Sequence, residues 1–143
     1  MNLLLAQAER LGVQVSWQPQ PATGPEAAYQ APPGQPGLLM IRAGVAAAGR
    51  LAAATPALCM LLSHEMVHVL QHWRGNLQAI TPLGWPTDAA PAERQLSIHE
   101  AEAYSNQNNP QRILEALQQL QRPQNRAERS GDGSSADHHD RAW

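Results

Sequence analysis

Residues 55–75 read TPALCMLLSHEMVHVLQHWRG, and the organisation of the whole chain follows from this stretch. Thr55 carries the side-chain oxygen of a helix N-cap, Pro56 suits the first helical position, and Arg74-Gly75 marks a stop. Between these signals the residues are apolar on almost every face up to Leu62, and again from Met66 to Leu70 apart from His68. A helix of that kind belongs at the centre of a domain, with the other elements packed around it. Glu65 is the only formal charge over residues 57–70, and it sits between His64 and His68.

Two imidazoles four residues apart on a helix face the same way, with Cβ atoms about 5–6 Å apart. They can converge on one ion, at the metal–nitrogen distance of about 2.0–2.1 Å that zinc requires. Glu65 is turned roughly 100° around the axis, so it reaches a water beside the ion more easily than the ion itself. This is the geometry of a general base next to a Lewis acid. Burying two histidines and a glutamate in such a helix costs on the order of several kcal/mol unless a partner compensates them. A metal ion compensates all three. The competing reading is a pair of core histidines satisfied by backbone carbonyls, beside an incidental acid.

A hydrolytic zinc site needs a third protein ligand and one open position for water. The downstream candidates lie in His99-Glu100-Ala101-Glu102-Ala103-Tyr104. On a helix spanning 91–107, Glu100 shares a stripe with Leu96, Ala103 and Tyr104, so it is the acid set among core-type residues. Glu102 aligns with Ile98, Asn106 and Asn109, the pattern of a solvated side chain. Helical phase favours Glu100 and leaves Glu102 and His99 as rivals.

The motifs at 64–68 and 100–104 together resemble the gluzincins, in their minimal single-domain (minigluzincin-type) form. These are HExxH metallopeptidases whose third ligand is a Glu on a later helix. Several of their families carry that Glu as the first residue of a Glu-x-Glu-Ala-Asp or Glu-x-x-x-Asp string. Glu100-Ala101-Glu102-Ala103 matches, and Tyr104 stands where Asp is usual. The resemblance covers roughly residues 1–122. It implies Zn²⁺ held by His64, His68 and Glu100, Glu65 as catalytic base, and hydrolysis of a peptide or protein substrate. It also implies an α+β, zincin-like fold: a leading helix, a small sheet, the HExxH helix and a Glu-bearing helix. In that family an edge strand near the metal pairs with the extended substrate by β-addition. Residues 38–41 hold the matching place in the order of elements, and an ordinary core strand is the other reading of that run.

The remaining residues fit one domain, 1–122, followed by a polar, aperiodic tail at 123–143 that reads as disordered. Residues 2–11 read as a helix stopped by Gly12, and 13–17 alternate with the period of a strand. Six prolines make 19–36 read as a loop, whereas 43–54 is ambiguous between turn and helix. Asn109 caps a last helix, 110–122, with an apolar stripe of Ile113, Leu114, Leu117 and Leu120. His72 reads as an exposed residue at a helix end, Cys59 as a buried structural thiol, and His138-His139 as a solvated pair.

Composition narrows the function. The 143 residues carry a net charge of -2 with ten basic side chains, all arginine, which argues against neutralising many phosphates of a nucleic acid. One cysteine, Cys59, cannot form an internal disulfide. No apolar run approaches the roughly 20 residues of a membrane span, and the N-terminus lacks the basic start of a secretory signal. A cytoplasmic protein is expected, of open oligomeric state. Beside the peptidase stand two rivals: a zincin-fold metal-binding interaction or assembly protein with little or no turnover, and a metal-free helical interaction domain. The small size and Tyr104 favour the first rival.

Overall fold

The computed structural model describes residues 2–19, 26–42, 45–46, 50–51, 55–88 and 95–123. In chain order the elements are α1 (Asn2–Arg10), β1 (Gln14–Gln18), β2 (Glu26–Gln30), β3 (Leu38–Arg42), β4 (Val45–Ala46), β5 (Arg50–Leu51), α2 (Pro56–Arg74), α3 (Ile98–Asn106) and α4 (Pro110–Gln118). Helices and a small mixed sheet make this an α+β domain. Thr55 does cap α2, accepting a hydrogen bond from the Leu58 N–H at 3.1 Å, and the Gly75 N–H closes the other end on the Gln71 carbonyl at 3.1 Å. Leu62, Met66, Val67 and Val69 of α2 are fully buried. They meet Leu39 and Ile41 of β3, Ala8 and Leu11 around α1, and Ile113 and Leu117 of α4 in one core. Trp17, Trp73 and Trp85 pack against its rim.

The sheet order is β1-β3-β2, with β1 parallel and β2 antiparallel to β3. Two expectations change here. The proline-rich segment 19–36 contains a strand, β2, because no proline falls between Pro25 and Pro32 and an edge strand needs a partner on one side only. The run 38–41 is the central strand, hydrogen-bonded on both sides, so it offers no edge to a substrate. The open edge nearest α2 belongs to β2.

Other boundaries shift for local reasons. Part of 43–54 pairs as the antiparallel ladder β4–β5 rather than as helix. The second motif helix begins at Ile98, not 91: Ser97 is its N-cap, and Gln95 at φ 59° is in the left-handed region. Residues 91–94 lie outside the described residues, as does the tail from 124 onward. Helix α4 stops at Gln118, after the Asn109 side chain has capped it through the Arg112 N–H at 3.3 Å.

His72 is not at an exposed helix end. It is fully buried, and its Nε2 faces the carbonyls of Pro32 at 3.0 Å and Leu77 at 3.1 Å, so that nitrogen donates. Its Nδ1 therefore accepts from the Tyr29 hydroxyl at 2.7 Å, which in turn accepts from the Gly37 N–H at 3.0 Å. Burial pushes the Tyr29 phenol up to about 12, which keeps it a donor. Tyr29→Phe leaves the His72 Nδ1 and the Gly37 N–H without a partner. The expected loss is about 2–3 kcal/mol of folding stability, read as a lower urea midpoint; an unchanged midpoint means the network carries no weight.

Candidate metal centre

Helix α2 sets the His64 and His68 rings 5.1 Å apart between centroids, on one face. Helix α3 supplies the third group. The Ser97 hydroxyl accepts from the Glu100 N–H at 3.2 Å, which fixes Glu100 in the first helical turn. Its carboxylate crosses to α2, with Oε1 2.9 Å from His64 Nε2 and 3.4 Å from His68 Nε2. Candidate ligand atoms of His64, His68 and Glu100 all lie within 4.8 Å of one another, and this group could hold a metal ion. Glu100 is not enclosed by core residues as its helical phase suggests: its side chain is 43% exposed, against 10% and 12% for the two histidines. The site is thus open on one side, as a centre with a vacant position must be.

The outer nitrogens of both rings are held. His64 Nδ1 lies 2.9 Å from Gln107 Oε1, and His68 Nδ1 lies 2.8 Å from Gln71 Oε1. Amide oxygens only accept, so a ring nitrogen that faces one carries the proton; the Gln71 amide, fixed by its own acceptors, puts the His68 proton on Nδ1, and both Nε2 atoms turn toward Glu100. The His68 Nε2 lone pair and the Glu100 carboxylate then face one another. A shared proton or a divalent ion between them makes that arrangement favourable. The donor set of two imidazoles and a carboxylate suits zinc and other first-row divalent metals.

Tyr104, at the position where the resemblance calls for Asp, packs its ring edge-on against His64, with centroids 4.6 Å apart and planes at 72°. The acceptor for His64 comes instead from Gln107, three residues later.

Glu65 lies beside the two imidazoles, and its Oε1 accepts the Tyr29 N–H of β2 at 2.8 Å. Burial pushes its carboxyl above the ordinary 4.5, while the neighbouring His68 and His64 rings and the Tyr29 N–H pull it partly back. That direction brings a carboxylate closer to the operating range of a general base. Because backbone groups alternate sides along an antiparallel strand, Ala27 presents its N–H and C=O on the same outer edge as Tyr29. Ala27 also lines a groove of about 610 Å³ that holds His64, Glu65 and Glu100 and is walled by Met60, Leu61 and Leu96. A larger groove, about 1000 Å³, lies between Gly12, Gln30, Pro36 and Arg122. It is lined by no acid, imidazole or thiol, so the smaller groove is the one with chemistry.

No family model, curated protein or solved structure matches this chain.

The geometry also separates the rival ligands. His99 and Glu102 stand outside the cluster, and Cys59 is half-buried and likewise not part of it. Glu102 is not solvated, since it is 1% exposed. Its Oε1 accepts from the Leu83 N–H at 2.8 Å, and its Oε2 from Gly84 at 2.7 Å and Trp85 at 3.1 Å. A loop containing Pro82 and Pro86, without secondary structure of its own, must find acceptors for its N–H groups, and Glu102 provides them. The sequence alone does not single out Gln71 and Gln107. Gln71 had a signal: it is three residues beyond His68, on the same face, and polar inside a buried helix. Gln107 had none. Among the described residues no helix is long and apolar enough to cross a membrane, and His138-His139 lie outside them.

Proposed function

We propose that this protein is a zinc-dependent peptidase, with His64, His68 and Glu100 as metal ligands and Glu65 as the general base, a gluzincin-like centre on a minimal scaffold. The convergence of His64 Nε2, His68 Nε2 and Glu100 Oε1, open to solvent and flanked by a buried acid, carries this reading. When bound, zinc supplies Lewis acidity, polarising a peptide carbonyl and making water nucleophilic near neutral pH. Glu65 takes the proton of the attacking water and delivers it to the leaving amine. The open edge of β2 supplies backbone groups at Ala27 with which an extended peptide can pair. The apolar walls of Met60, Leu61 and Leu96 receive a substrate side chain.

A second reading, a metal-binding interaction or assembly protein without significant turnover, draws on the Glu65–Tyr29 hydrogen bond: one oxygen of the would-be base is already committed to holding β2. Elemental analysis of untagged protein, followed by exposure to a broad peptide library, separates the two. Zinc together with cleavage supports the peptidase. Zinc without cleavage supports the second reading, and no metal at all overturns both.

A further inference from the structure

Gln71 and Glu102 belong to neither the ligand set nor the base, yet both are buried and polar. Gln71 is fully buried on α2, and its Nε2 donates to Glu102 Oε1 at 2.9 Å and to the His99 carbonyl at 3.0 Å. Both partners only accept, so the amide cannot be turned around: its oxygen has to face His68, at 2.8 Å from Nδ1. Gln107, which serves His64, has no comparable anchor among the described residues. Glu102 is itself held by the backbone N–H groups of Leu83, Gly84 and Trp85. A closed chain of hydrogen bonds therefore runs from the 83–85 loop through Glu102 and Gln71 to the far side of the His68 ring.

We infer that Gln71, locked by Glu102, is a positioning residue for the metal centre: it keeps the proton of His68 on Nδ1 and so presents Nε2 to the ion. A histidine free of that constraint can carry its proton on Nε2, the nitrogen that faces Glu100, and that form cannot bind the ion there. Interactions of this kind behind a ligand commonly alter metal affinity by about 10- to 100-fold. The role in affinity rests on the metal-binding reading above. The position of the ring proton does not.

The test uses the full chain and zinc alone. In nitrogen-15 imidazole spectra of the parent, assigned by loss of the signal in His68→Ala, His68 is expected to carry a slowly exchanging proton on Nδ1, before and after zinc. In Gln71→Met, matched in length and lacking both amide functions, that proton is expected to exchange rapidly. Zinc affinity, measured by competition with a chelator, is expected to weaken by about 10- to 100-fold. Glu102→Gln puts an amide donor among four converging donors and is expected to weaken zinc in the same direction. A His68 proton on Nε2 alone in the parent overturns the inference, as does parent-like zinc affinity in a folded Gln71→Met. Should that variant not fold, the ring proton of the parent decides. A parent that takes up no zinc overturns the metal reading instead, and the ring proton still confirms or refutes the hydrogen-bonded chain.

Discussion

Glu65→Gln is expected to abolish peptide hydrolysis and to leave one zinc bound per chain. Glutamine preserves what the carboxyl does structurally, because its amide oxygen can still accept the Tyr29 N–H that Glu65 now receives at 2.8 Å. What it removes is the ability to take up a proton. General base catalysis contributes about 10²- to 10⁴-fold, so the residual rate should fall by at least about two orders of magnitude. Glu65→Ala is the wrong comparison, since it also strips the acceptor from β2 beside the groove. Two measurements are required together: zinc content by elemental analysis, and cleavage rate on a peptide already shown to be a substrate. Loss of the metal in Glu65→Gln would make Glu65 a ligand, contrary to its placement. A parent-like rate would put the base elsewhere.

The part of this centre that could be read from sequence is the part governed by local geometry. The four-residue spacing of His64 and His68 on a helix punctuated by Thr55 and Gly75 brings the two imidazoles to one face without knowledge of the fold. Glu100 is a different matter. Its helical phase singles out the acid that stands beside the two imidazoles, but for an incomplete reason: α3 does not extend back to 91, and Glu100 sits at the exposed mouth of the cluster rather than in the core. Its choice over Glu102 is made by packing, since α3 docks on α2 with Glu102 turned to the 83–85 loop. Long-range polar contacts of this kind leave almost no trace in a single sequence. The 28- and 31-residue separations of Gln71 from His99 and Glu102 have no periodicity to betray them. The edge strand is hidden in the sequence for another reason. Prolines at 25 and 32 bracket β2 so tightly that the segment reads as loop, although proline is compatible with a sheet margin. Placing the open edge at 26–30 rather than 38–41 then follows from sheet order alone.

Zinc is expected to raise the melting temperature of the metal-free chain by on the order of ten degrees. The sign follows from linkage. His64 and His68 lie on one helix, but the third group comes from another, so the complete set of three exists only in the folded state. A ligand selective for that state stabilises it by about 4 kcal/mol when present at a thousandfold excess over its dissociation constant. The imidazole and carboxylate acceptors that crowd together at 2.9 and 3.4 Å gain most, because the ion replaces a mutual repulsion with three attractions. His64→Ala and Glu100→Gln should each reduce the zinc-induced shift sharply, and the double variant should show almost none. A scan of the parent with chelator, with zinc, and with zinc in these backgrounds checks the expectation. A metal-free helical interaction domain predicts the same midpoint in every condition. A shift that survives in the double variant would place the ion away from His64 and Glu100.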